Sequence, residues 1–129
     1  KDWSKQEADS GCDYDQHEKI NMSELEPLIA KPSSPGNVVP LTEVEGEKIY
    51  QAYIGSSANP GFRDFAVSGE IVRGKRVPTD VSLDINISSR EIMENLAEQR
   101  YLQPLLTAGG RLHQIGCNGC IGMGQARHY

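Results

Sequence analysis

Between residues 81 and 87 apolar and polar positions alternate without a break: Val81, Leu83, Ile85 and Ile87 against Ser82, Asp84 and Asn86. A period of two is the pattern of a strand with one face on a core. The period then lengthens. Ile92 and Leu96, with Met93 and Ala97, recur at helical spacing, and Ser88 followed three residues later by Glu91 has the form of a capping box. Leu102, Leu105 and Leu106 form a second apolar stripe that Gly109-Gly110 ends. Upstream, Ile49 to Ile54 is a short apolar stretch with two tyrosines, which predicts a strand ending at Gly55. Asn59-Pro60 reads as a helix start, with Asn59 as N-cap and Pro60 in the first turn. Phe62, Phe65, Ala66, Gly69 and Val72 continue that helix on one face, and Gly74 is its expected stop. Arg111 to Ile115 is the third predicted strand. The order strand, helix, strand, helix, strand predicts an α/β domain with a parallel sheet and right-handed crossovers. In such a sheet the loops Gly55–Asn59, Ser88–Arg90 and Gly116–Gly122 share one edge, where ligands of open α/β sheets bind.

Residues 1–48 have another character. Pro27, Pro32, Pro35 and Pro40 and the run Pro-Ser-Ser-Pro-Gly-Asn from 32 to 37 predict an extended connecting arm, with at most a short strand around Glu18–Met22. The expected division is an arm over 1–48 and an α/β domain over 49–129. Composition is ordinary for a globular chain of 129 residues, with 37% hydrophobic and 24% charged positions. A net charge of −5 argues against a nucleic-acid backbone or an anionic membrane as the main partner. No apolar run approaches the ~18 residues of a membrane helix, and no secretory-signal pattern opens the chain. With Lys1 where an initiator Met is expected, the sequence reads as processed or as a piece of something longer. Three cysteines fit a reducing interior such as the cytoplasm.

The densest chemistry lies in Gly116-Cys117-Asn118-Gly119-Cys120-Ile121-Gly122. Two thiols two residues apart can point at one metal or cluster, and the glycines let backbone amides approach the sulfurs. The spacing suits half a zinc site, a redox dithiol, two ligands of an iron–sulfur cluster, or a pair of buried thiols in a tight turn. Zinc would need two further ligands, and His17, His113, His128 and Cys12 are scattered. His113 reads as a core or rim histidine, and Cys12 as a surface thiol. The second feature, Gly55-Ser56-Ser57-Ala58-Asn59, is an ordinary strand-to-helix turn that could cradle an anion. It matches neither a P-loop nor a dinucleotide fingerprint.

Together these two segments resemble the aconitase family, which includes isopropylmalate dehydratase and homoaconitase. In that family a strand ends in a Gly-Ser-Cys-Thr-Asn-like turn, and a Cys-x-x-Cys-(Ile/Leu)-Gly segment follows well downstream. The counterparts are Gly55-Ser56-Ser57-Ala58-Asn59 and Cys117 to Gly122, with Asp80–Asp84 through Ser88-Ser89-Arg90 between them. Upstream, Met22-Ser23-Glu24-Leu25-Glu26-Pro27-Leu28-Ile29-Ala30 is similar to the aconitase branch in particular. The resemblance implies a three-layer domain like the iron–sulfur domains of that family. It also implies a lyase interconverting citrate and isocitrate at a [4Fe–4S] cluster, held by three thiolates with one iron open. Cys117 and Cys120 would bind the cluster, Ser57 would stand where the family has its first cluster cysteine, and Asn59 would face substrate. The partners implied are the remaining domains of a longer enzyme and a small tricarboxylic acid, in the cytoplasm or a mitochondrial matrix. The chain by itself is expected to be inactive. Two rival readings are a thiol–disulfide oxidoreductase using Cys117 and Cys120, and a catalytically silent binding or assembly module of the same fold, which Ser57 favours.

Overall fold

The computed structural model describes residues 4–58 and 60–123, with Cys120 described in its backbone alone. Asn59, His128 and the side chain of Cys120 therefore lie outside the described residues. The chain divides into two compact units, residues 1–47 and 48–129.

In the first unit the proline-rich run reverses the chain. The Lys31 N–H donates to the Asn37 carbonyl at 2.8 Å, the Gly36 N–H donates to Ser34 Oγ, and Asn37 Nδ2 donates to the Pro32 carbonyl. The flanking segments pair antiparallel as β1 (Leu28–Ala30) and β2 (Val38–Pro40), with Ile29 opposite Val39. The strand expected around Glu18–Met22 is not formed. The Asn21 side chain accepts the Ser23 N–H and caps a 3-10 turn over Met22–Glu24, which competes with extended backbone there.

The second unit carries a parallel sheet of β3 (Gln51–Gly55), β4 (Ser82–Asn86) and β5 (Arg111–Leu112), in that spatial order. Its helices are α1 (Phe62–Val72), α2 (Arg90–Glu98) and α3 (Leu102–Thr107). Phe65 of α1, Leu96 of α2 and Leu105 of α3 share one core with Leu83 and Ile85 of β4 and Ile87 just beyond it. Because alternate strand residues share a face, all three helices lie on the same side of the sheet. That differs from the expected three layers, and the reason is topological. Strands laid side by side in chain order through right-handed crossovers send every helix to one face. Among the described residues the domain has two layers.

Element starts shift by one or two residues from the sequence expectation. Helix α1 begins after Gly61, not Asn59: the Asp64 carboxylate accepts the Gly61 N–H at 2.8 Å, and the Asp64 N–H donates back to the Gly61 carbonyl. Helix α2 is capped by Ser89, whose Oγ accepts the Ile92 N–H at 3.2 Å. Ser88 is thereby released to donate to the Pro60 carbonyl at 2.6 Å, which ties the loop after β3 to the loop after β4. Strand β5 stops at Leu112 and not Ile115, although the His113 N–H still donates to the Ile85 carbonyl at 2.8 Å. Among the described residues no helix is long and apolar enough to cross a membrane.

Candidate functional site

Two turns meet at the carboxyl edge of the sheet. The first leaves β3 at Gly55, which has φ +101°. A Cβ there would lie 2.1 Å from the Asn86 carbonyl oxygen, so the close approach to β4 needs glycine. Beyond it Ser56 Oγ accepts the Ala58 N–H and closes the turn. The second follows β5, passing Gly116 at φ +138° to reach Cys117. Ser57 Oγ and the exposed Cys117 Sγ stand 2.8 Å apart, although sixty positions separate them in sequence.

The thiol-bearing turn folds back over the sheet. The Gly119 N–H donates to the Tyr53 hydroxyl at 3.1 Å, and a Cβ on Gly119 would lie 2.3 Å from the tyrosine ring. Asn118 Nδ2 donates to the Gln114 carbonyl at 2.6 Å, while the Asn118 carbonyl accepts N–H groups from Ile121 and Met123. These bonds also fix the Cys120 backbone, which lies in the 3-10 turn Gly119–Ile121.

Beneath this turn the polar face of the sheet is buried. The alternation of residues 81–87 predicts solvent at Asp84 and Asn86, yet both are fully buried. The Asp84 carboxylate accepts hydrogen bonds from Gln51 Nε2 at 2.6 Å, Ser82 Oγ at 2.8 Å, His113 Nε2 at 2.9 Å and Arg111 Nε at 3.1 Å. Arg111 also donates to Ser82 Oγ. Burial alone would raise the Asp84 pKa. The bonds from His113, Gln51 and Ser82, with the Arg111 charge, outweigh it and hold the carboxyl at about 2. Acceptance by an ionised carboxylate makes Nε2 the protonated nitrogen of His113, whose ring packs 5.9 Å from that of Tyr53. Asn86 Nδ2 donates to the Gly116 carbonyl at 2.5 Å, and its Oδ1 has no partner among the described residues.

The reading of the sequence brought Ser57 and Cys117 to one edge and missed the layer under them. The overlooked signal was positional: β4 is the central strand, and residues of its neighbours, Gln51 on one side and Arg111 and His113 on the other, supply polar partners for Asp84. An open groove of about 710 Å³ lies at the same edge, lined in part by Ser88, Ser89, Arg90, His113 and Ile115.

A [4Fe–4S] cluster of the implied kind asks for three thiolates, because soft sulfur ligands hold iron–sulfur clusters. The described side chains at the edge are the Cys117 thiol and the Ser57 hydroxyl, and the turn carries Cys120 in its backbone. Among the described residues no group of three or more His, Cys, Asp or Glu side chains is placed to hold a metal ion. His113 has committed one ring nitrogen to Asp84. Among the described residues of the 48–129 unit the donor set does not fit a cluster held at three corners.

Comparison with known proteins gives consistent matches. The sequence pattern of the aconitase family (aconitate hydratase) covers residues 42–128. The chain is 38% identical over 116 residues to the 3-isopropylmalate dehydratase large subunit 1 of Methanopyrus kandleri, covering 90% of this chain and 28% of that protein. It is 34% identical over 122 residues to a 3-isopropylmalate dehydratase large subunit 2 of Rubrobacter xylanophilus, covering 95% of the chain and 29% of the relative. A probable methanogen homoaconitase large subunit of Methanothermobacter thermautotrophicus is 31% identical, covering 89% of the chain and 27% of the relative. The chain thus spans under a third of the length of these relatives.

Proposed function

Because this chain belongs to the aconitase family, we propose that it serves as one domain of a hydro-lyase that removes and adds water on a small hydroxy-carboxylic acid. The observation that supports this reading best is the 2.8 Å approach of Ser57 Oγ to Cys117 Sγ, which joins the two family-like turns at one sheet edge. A redox dithiol needs no such meeting with a strand-to-helix turn. Three relatives carry dehydratase or homoaconitase names. They put 3-isopropylmalate first among substrates to test, ahead of the citrate–isocitrate pair that the resemblance implied. The name "large subunit" likewise supports a further subunit, besides the remaining domains, as the partner that completes the site.

In this reading each group of the chain has a task. Gly55 lets the Ser57 turn cross β4 closely. The Asp84 network and Asn86 hold the start of the thiol turn, and Tyr53 receives its middle. Cys117 and Cys120 are the thiols the chain offers to iron, and Asn59 is the residue assigned to meet substrate. Arg90 brings positive charge to the groove, where a carboxylate would need it. The silent-module reading keeps one specific support, the hydroxyl at Ser57.

Hydration and dehydration assays test the proposal. The chain alone and the chain supplied with the complementary domains and small subunit of an isopropylmalate dehydratase would be offered 3-isopropylmalate, homocitrate and citrate. Turnover is expected only with the complementary parts present, and fastest with 3-isopropylmalate. Turnover of any of the three by the chain alone refutes the single-domain reading, and equal inactivity of a stable complex favours the silent module.

A further inference from the structure

We propose that the edge where the Ser57 turn meets the turn of Cys117 offers iron two thiols at most, Cys117 and Cys120, because the Ser57 hydroxyl hydrogen-bonds the Cys117 sulfur instead of ligating iron. The inference rests on the reading of this edge as the cluster position of an aconitase-family domain. It adds that this chain supports a [4Fe–4S] cluster at two corners only, so that iron and sulfide leave readily.

At 2.8 Å, Ser57 Oγ and Cys117 Sγ are hydrogen-bonded to each other across the two turns. Ligating iron would require Ser57 to give up that bond and its hydroxyl hydrogen. Hardness points the same way, since iron–sulfur clusters select soft thiolates over oxygen donors.

The described surroundings supply no substitute. His113 is engaged with Asp84 through Nε2, and Asp84 is sealed by four donors. Gly55 and the Ser56–Ala58 bond fix the turn that presents position 57, and Ser57 itself is exposed. A cysteine at this position would add a third thiol to the edge.

The test compares the full chain with Ser57→Cys and Ser57→Ala. Each is kept reduced and reconstituted without oxygen from two ferrous ions, two ferric ions and four sulfides per chain, which balance the 2+ cluster with no added oxidant. After gel filtration, iron and acid-labile sulfide per chain are counted and the visible sulfur-to-iron absorption is recorded. Circular dichroism confirms folding. Loss of one ligand should weaken retention at least about tenfold. The parent should therefore keep under about a tenth of the iron and sulfide that Ser57→Cys keeps, and Ser57→Ala should match the parent. Full retention by the parent overturns the inference while leaving the cluster reading of the edge intact. Retention by the parent that Ser57→Ala loses also overturns it, because the oxygen is then a ligand. Failure of a folded Ser57→Cys to hold iron overturns the inference together with the reading it rests on. Should Ser57→Cys not fold, the parent decides: stoichiometric iron overturns the inference, and less than about a tenth supports it.

Discussion

Replacing Asp84 by asparagine tests whether the buried polar face stabilises the domain through charge. The carboxyl is held at about 2, against an ordinary 3.8. By linkage that difference corresponds to roughly 2 kcal/mol of folding stability. A carboxyl whose folded pKa is depressed contributes fully above its unfolded pKa. The contribution should therefore be complete above about pH 4, shrink as pH falls through the interval down to 2, and vanish below it. Asparagine keeps the shape and one acceptor, but it cannot ionise and it points amide hydrogens at the donors of Gln51, Ser82, His113 and Arg111. Arg111 is half-exposed and can return to water, which limits the damage. The measurement is urea unfolding of the parent and Asp84→Asn at pH 7, 4 and 2. At a urea slope of about 2 kcal/mol/M, the variant should unfold about 1 M earlier at pH 7, and the gap should narrow steeply by pH 2. What remains at pH 2 measures the clash of amide hydrogens with donors. A gap of equal size at pH 7 and pH 2 would refute the role assigned to the charge, and no gap at pH 7 would refute the network as a source of stability.

Three further outcomes follow from the geometry. Gly55→Ala must place a Cβ 2.1 Å from a backbone oxygen at a φ that side chains avoid, so it should cost more than about 3 kcal/mol in thermal or urea unfolding. Ser89→Ala should cost about 1 kcal/mol by loss of the α2 cap, and Ser88→Ala should behave differently, loosening the bond to Pro60 without removing that cap. Gly119→Ala should push the thiol turn off the Tyr53 ring and change the alkylation rate of Cys117, which a mass-spectrometric time course reads. Tyr53→Phe, which removes only the acceptor of the Gly119 N–H, should change that rate less.

Local pattern carried much of this fold. The β4 strand and the helices over 62–72 and 90–98 are visible in the spacing of apolar residues, and the parallel sheet follows from their order. Misplaced starts arose where two capping residues competed. Ser88-Ser89 both can cap, and only the reach of Ser88 to Pro60, set by tertiary structure, decides for Ser89. Gly61 displaced Asn59 because Asp64 could close the turn from inside the helix. The hairpin over residues 28–40 was hidden because its strands are three residues long and mostly exposed, too short for periodicity to register. At the site, glycine-flanked thiols announce themselves, whereas a buried aspartate looks like any polar residue of an amphipathic strand. Its burial depends on β3 and β5 flanking it, which no single stretch of sequence states.

That hidden layer bears directly on the thiols. Strand β5 is two residues long and pairs with β4 at Asp84 and Ile85 alone, so its ladder offers little resistance to slippage. The His113 N–H adds one bond to Ile85, and then the chain turns away through Gly116. What fixes the register beyond that point is side-chain chemistry from β4: Asp84 grips Arg111 and His113, and Asn86 grips the carbonyl of Gly116, immediately before Cys117. These partners have no equivalents one residue along, since a slip of one position would turn His113 and Arg111 to the helical face. The ion pair and the amide bond thus set where the Cys117 sulfur emerges relative to Ser57. Stability of the polar face and geometry of the thiol edge are one property of β4, and a perturbation of Asp84 or Asn86 is felt at Cys117 without touching it.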